Sequence, residues 1–531
     1  MNRIFILVAL SLFSKYSAAQ TCEDYAVQLT ATTQLSPPKI TLNWKPLSGA
    51  VNYRIYKKAK AATVWGSVLA TLGATDSMYA DTAVVVDSAY EYGVEGTTST
   101  LYPRGYIYAG IKNPATHSRG ILILMVDSTY TDSCSADIHR LMKDISADGW
   151  EIIRHDVART LKDTGVKTLI RNDYNSHTNV KAVLLLGHVA VPYSGDLNPD
   201  AHPDHLGAWP ADIYYSQIAA AWTDASVNDT VSPYPFTRNV PGDGKWDQVG
   251  WYSTPEIQVS RIDVYDMPAF SPSEIQLMKS YLAKDHSYKM DSLAVRHRAL
   301  ISDNFGVFSG SNEAFASCGW RNFPPLVGRD SFGALPFISS LNTGSYQWAY
   351  GCGGGSFSSA GGIGTTADFA SNNVNGIFTM LFGSYFGDWN VQNNFLRAPL
   401  CANVPALTSC WAGRPYWYFH HMALGENIGY SAWITQKNDG YFYGTPSYGT
   451  QMVHIALMGD LTLRTDYIKP ARNLAITKTA KHGAMLSWSA SGDGGVIGYY
   501  VYRATSEFGN YQRISGMTAG TTFSDTVGTD G

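Results

Sequence analysis

Charge is scarce in this sequence. Asp, Glu, Lys and Arg together make up 15% of the 531 residues, against roughly 25% in an average soluble domain. The formal net charge is −4, so there is no excess of Lys and Arg from which to build the basic face of a nucleic-acid binder. Cysteine is sparse as well. The six residues are Cys22, Cys134, Cys318, Cys352, Cys401 and Cys410, too few to staple a chain of this length as a disulfide scaffold. The close pair Cys401 and Cys410 brackets a loop and is the pair expected to bridge in an oxidising compartment. Long apolar runs are missing too. Residues 4–13 form an apolar run of about ten residues where a membrane span needs about 20, and no later run is apolar enough, so no transmembrane span is expected.

What is present fits export. The short run follows Arg3 and leads to the small residues Ser17, Ala18 and Ala19, so residues 1–19 read as a signal peptide. The mature chain is therefore expected to be secreted or displayed at the cell surface. Cys22 is preceded by Ala19, Gln20 and Thr21 rather than by Leu and small residues, which argues against a lipid anchor. The length exceeds a single core, which stops growing near about 250–300 residues, so two to four domains are expected. Apolar residues (45%) and aromatics (13%) suffice to fill them, while 34 Tyr and 49 Gly take the place of charge.

Two segments repeat one another. Ile40, Leu42 and Trp44 precede Tyr53, Ile55 and Tyr56, with Asp81-Thr82 further on. Near the other end, Met485, Leu486 and Trp488 precede Tyr499, Val501 and Tyr502, with Asp525-Thr526 further on. Short alternating runs broken by Gly, Pro, Ser and Asp predict antiparallel sandwiches. The Trp, the tyrosine-rich strand after it and the late Asp-Thr resemble fibronectin type III modules, placed at 24–112 and 470–531. The first copy continues with Tyr90 and Tyr92, the latter in the position of a tyrosine corner. The second has no such continuation, so it is expected to be incomplete and the chain to be part of a longer protein. Trp44 and Trp488 are expected in cores. Modules of this kind imply spacers or binding platforms.

Between them the pattern changes. The apolar run from Gly120 to Val126 suits a buried parallel strand. Ile138, Leu141, Met142 and Ile145 then share one helical face, and further strands are expected from Trp150, from Val180, from Ala299 and from Gly376. Strand and helix in alternation predict an α/β sheet. The expected fold is thus multidomain, a central α/β domain at 117–468 with a β-sandwich module at each end.

Several motifs of this region occur in order. Leu184-Leu185-Leu186-Gly187 ends a strand. Then come Asp200, His202, Asp204, His205, Trp209 and Asp212, next Arg261 and Asp263, and finally Gly459, Asp460 and Arg464. Together they resemble the gingipain family of cysteine peptidases, which implies a caspase-like fold and a Cys–His dyad at the carboxyl ends of neighbouring parallel strands. At the position that the resemblance gives to the His stands Cys352, in Tyr350-Gly351-Cys352-Gly353-Gly354-Gly355. At the position of the Cys stands Gly383. There is no His between His297 and His420. The reading is a domain that keeps the peptidase fold without its dyad, acting in extracellular or cell-surface binding or architecture. The opposing reading is an active cysteine endopeptidase in which Cys352 is the nucleophile and His188, or His420 and His421, the base.

Three polar or aromatic groups remain. His202, Asp204 and His205, with Asp212, are residue types that bind zinc, which would make the domain a metal-dependent hydrolase. Asp224, Asn228, Asn239, Asp243 and Asp247 surround a Gly turn, as calcium-binding loops do, and calcium is the one cofactor expected. Trp411, Tyr416, Trp417 and Tyr418 could face a polysaccharide, but read equally well as a buried helix. The expected partner is an extracellular protein or polysaccharide, not a nucleic acid.

Overall fold

The computed structural model describes residues 20–250, 253–308, 313–414, 416–438, 452–479 and 483–526. The expected signal peptide lies outside these residues.

The alternation around Trp44 produces two antiparallel sheets. Strands Thr30–Gln34, Lys39–Asn43 and Met78–Asp81 form one; Ala70–Gly73, Asn52–Lys58, Ser88–Thr97 and Arg104–Ile111 form the other. Their inward residues share a core. Ile40, Leu42 and Trp44 from one sheet meet Tyr53, Ile55, Tyr92 and Val94 from the other. The buried Tyr92 hydroxyl donates to Asp81 Oδ2 at 2.7 Å, tying the two sheets together. Tyr92→Phe should lower stability by about 2 kcal/mol, the size of a hydrogen bond to a charged group, with ring packing kept; urea unfolding measures it.

The central domain is built on ten strands. In chain order these are β1 (Gly120–Asp127), β2 (Trp150–Val157), β3 (Val180–Leu186), β4 (Gln258–Ile262), β5 (Ala299–Asp303), β6 (Phe332–Ala334), β7 (Tyr346–Cys352), β8 (Gly376–Phe382), β9 (Thr408–Trp411) and β10 (Ala456–Gly459). They form one sheet in the order β6-β5-β7-β8-β9-β10-β4-β3-β1-β2. Every pairing is parallel except β9 with β10. Both faces are covered. Leu122, Leu124 and Val126 of β1 pack with Ile138, Leu141 and Ile145 of helix α1 (Ser135–Ala147). Ile121, Ile123 and Met125 pack with Val166 and Ile170 of helix α2 (Asp163–Ser176). Double-sided burial is why β1 reads as an unbroken apolar run.

The last segment forms a three-stranded sheet of Arg472–Lys478, Ala484–Ser489 and Thr522–Asp525, and a short hairpin of Tyr502–Arg503 with Gln512–Arg513. Trp488 is half-buried here, against a fully buried Trp44, because fewer strands face it. This segment leans on the edge of the central sheet: the Ile152 N–H of β2 donates to the Phe508 carbonyl at 2.9 Å, covering an edge strand that would otherwise offer free backbone groups.

Candidate functional site

β7 and β8 are neighbours, with Cys352 opposite Phe382. Cys352 and Gly383 therefore stand side by side at the carboxyl ends of parallel strands, where open α/β sheets place ligands. The space between the two strand ends is filled by backbone. A Cβ added at Gly383 would lie 2.5 Å from the Gly353 carbonyl oxygen and 2.7 Å from the Phe386 ring. One added at Gly353 would lie 2.1 Å from the Gly361 carbonyl oxygen, and one at Gly355 would lie 2.1 Å from that of Ser384. The Gly353 N–H donates to the Phe382 carbonyl at 3.1 Å. These glycines let two loops touch main chain to main chain.

Cys352 is fully buried. Its thiol donates to Asp303 Oδ1, with Sγ 3.4 Å away, because β5 and β7 pair Asp303 with Cys352. Burial first, and then the Asp303 carboxylate, push the thiol well above its ordinary pKa. Cys22 reaches the same carboxylate and is pushed up by burial and by that hydrogen bond. A thiol nucleophile needs the reverse, a positive and partly exposed surrounding. Cys352 should resist iodoacetamide in the folded protein and react on denaturation; intact-mass measurement follows the adduct.

His188 cannot serve Cys352, a correction to the dyad considered above. β3 and β7 are separated by four strands, which at about 4.8 Å per strand puts them roughly 24 Å apart. His188 instead holds Asp263, with Nδ1 2.8 Å from Oδ2. Its own N–H donates to Asp127 Oδ2 at 3.1 Å, and its ring stacks on Tyr265 at 4.1 Å. Burial alone would raise the Asp263 carboxyl. The hydrogen bond from His188 and the positive charges of His188, Arg397 and Arg261 outweigh it and hold the group below the usual carboxylate range. An Asp-oriented imidazole is the geometry of a general base, but no thiol or hydroxyl among the described residues hydrogen-bonds the His188 ring.

His420 and His421 also serve another partner. Both turn Nε2 to Glu91 of the first sandwich, at 2.7 and 3.2 Å. Burial, then the neighbouring His421, push His420 down to about 3. Burial alone would raise the Glu91 carboxyl, but the two imidazoles hold it well below its ordinary value.

The zinc set of His202, Asp204 and His205 does not converge. His205 is fully buried with Nδ1 3.1 Å from Asp200 and Nε2 3.3 Å from Asp388. Two carboxylates thus take both nitrogens. Asp204 accepts the Tyr385 hydroxyl at 2.8 Å, and the Tyr385 ring stacks on His205 at 4.7 Å. The group fixes the loop after β8. Asp212 is held bidentately by the buried Arg261, at 2.9 and 2.7 Å.

In the expected calcium loop the carboxylates bind backbone amides. Asp224 accepts from Gly242 and Gly244 at 2.7 and 2.8 Å, and Asp243 from Lys245 at 2.8 Å. Asp247 accepts from Ala225, Ser226 and Val227 at 3.0, 3.1 and 2.8 Å. Asn239 is buried and donates to Gly195 and Trp246, while Asn228 is exposed. These are the bonds of capped turns.

One further expectation is corrected. Cys401 and Cys410 are both buried free thiols. Cys401 ends the helical turn Ala398–Cys401, whereas Cys410 lies inside β9. Trp411, Trp417 and Tyr418 are buried in the core, as the core reading of this aromatic group expected, although the helical turn there begins only at His420.

Sequence reasoning named Asp200 and Asp263 within its motifs without giving them partners, and it did not reach Asp303, Glu91 and Asp388. Asp263 stands in the Arg261-Ile262-Asp263 motif, and its place directly after a strand was a usable signal. Asp200 lies five residues from its partner His205, whereas Asp303, Glu91 and Asp388 meet theirs across long sequence distances, of which a single sequence carries no mark.

No protein-family model matches the chain, and no curated protein matches it. Among solved structures, the chain matches the Arg specific cysteine proteinase gingipain R at 12% identity and a TM-score of 0.46, over 78% of this chain and 93% of that one. It also matches an Fn3-like protein from Clostridium thermocellum, at 21% identity and a TM-score of 0.14, over 17% of this chain and 90% of that one. A third is pectate lyase PelI from Erwinia chrysanthemi, at 15% identity and a TM-score of 0.15, over 19% of this chain and 32% of that one.

Proposed function

We propose that this is an exported protein whose central gingipain-like domain has no peptidase activity, held between fibronectin type III-like modules and acting outside the cell by binding or architecture. The observation that carries the reading is the main-chain contact of Gly383 with Gly353, which leaves no room for a nucleophile's side chain at position 383. The buried Cys352 beside Asp303 supports it, since a carboxylate neighbour opposes thiolate formation. Export rests on the short apolar run after Arg3 and the small residues before Gln20. An extracellular protein or polysaccharide is the proposed partner class. Among the described residues no helix is long and apolar enough to cross a membrane.

The test is digestion of a mixed peptide library by the reduced full-length chain, with and without calcium, read by mass spectrometry. The expected pattern is identical for wild type and Cys352→Ala. Cleavages present in wild type and lost in Cys352→Ala would establish the endopeptidase instead.

A further inference from the structure

The first sandwich meets the central domain through ionisable side chains that are buried at the junction. Glu91 lies on strand Ser88–Thr97; His420 and His421 open the turn His420–Leu424. The three are 0, 1 and 0% exposed. Their ligand atoms lie within 4.8 Å of one another, and the two imidazole centroids are 4.1 Å apart. Tyr106 stands 5.6 Å from the His420 ring, while Tyr108 and Tyr430 stand 6.0 and 5.2 Å from that of His421. Hydrogen bonds among the three and the Lys58 pair offset the cost of burying them together.

We infer that Glu91, His420 and His421 form a three-ligand site for a divalent transition-metal ion, zinc foremost, that joins the first sandwich to the central domain. Two imidazole nitrogens and one carboxylate oxygen are a donor set that zinc takes, leaving one position for a further ligand. Donors bonded tetrahedrally at about 2.0–2.1 Å stand about 3.3 Å apart. Nε2 of His420 and of His421 are 2.7 and 3.2 Å from Glu91 Oε1, so these two gaps need open by only about half an ångström to match that spacing. Lys58 pairs with the other oxygen, Oε2, which leaves Oε1 to the imidazoles. Nitrogen donors also separate this site from a calcium loop, which takes oxygen ligands.

The experiment uses the full chain, stripped with chelator and then given zinc or cobalt. The expected results are one zinc per chain by mass spectrometry of the metal, a melting temperature that rises with zinc, and the visible absorption of tetrahedral cobalt. Glu91→Gln keeps the size and a hydrogen-bond acceptor. It should weaken zinc by more than the about 10–100-fold that loss of an outer-shell partner costs, and it should also lower the metal-free melting temperature, because the buried Lys58 loses its charged partner. A folded wild type that takes up no stoichiometric zinc and shows no tetrahedral cobalt spectrum overturns the proposal, as does Glu91→Gln binding zinc like wild type. If Glu91→Gln does not fold, the wild-type stoichiometry and cobalt spectrum decide.

Discussion

Placing a Cys–His dyad at these two strand ends, Gly383→Cys with Cys352→His, will give a less stable protein and no peptidase. The Cβ at position 383 would sit 2.5 Å from the Gly353 carbonyl oxygen and 2.7 Å from Phe386. The first of these is main chain, and it cannot yield without moving the loop that follows β7. Forcing extra atoms into a packed site costs about 1–3 kcal/mol, and the backbone contact puts Gly383→Cys at the upper end, about 3 kcal/mol. An imidazole at position 352 would have to fit where a fully buried thiol now sits against Asp303. Thermal unfolding of the single and double variants, with peptide hydrolysis by the double variant, measures both effects. Wild-type stability together with turnover would show that the strand ends can open.

Lys289→Met will cost more, about 3–5 kcal/mol, the usual loss when a buried charge is left without its partner. Lys289, at the end of helix α3 (Glu274–Lys289), is buried 3.0 Å from Asp285 and also pairs with Asp460. Both carboxylates are fully buried. Burial raises the Asp285 carboxyl and Lys289 opposes this, but Asp460 adds to it, so that Asp285 is pushed up to about 7. A carboxyl raised on folding contributes stability below its unfolded value, near 4, and that contribution is lost as pH rises through the folded one. Removing Lys289 takes away the opposing charge. The part of the deficit carried by Asp285 should therefore shrink as pH falls toward about 7 and level off below it, where Asp285 is protonated in both folded chains. Urea unfolding from about pH 9 down to about 7 checks size and sign; a deficit that grows as pH falls through that window would contradict the account.

Much of the fold was legible because its signals are local. The apolar run at Gly120 follows from burial of both faces of β1. The spacing of Ile138, Leu141, Met142 and Ile145 follows from one face of α1 meeting the sheet. The alternation around Trp44 follows from a sheet with one face in a core. The neighbouring positions of Cys352 and Gly383 were legible too, since each directly follows a strand or ends one. What was not legible depends on groups far apart in sequence. His188 and Cys352 look alike as residues beside strand ends, yet five strand spacings separate them. His205 reads as a metal ligand until Asp388 is brought to its second nitrogen. Asp224 and Asp247 read as calcium ligands, and only the fold brings the amides of Gly242 and Val227 to them. Three polar residues close in sequence do not reveal which way their side chains turn.

The central claim is that Cys352 is a buried structural thiol at a closed strand edge. The most direct measurement is labelling of the native full-length chain with a peptidyl acyloxymethyl ketone, located by peptide mapping. No adduct at Cys352 is expected in the native chain. A stoichiometric native adduct at Cys352, formed faster than in the denatured chain, would contradict the account.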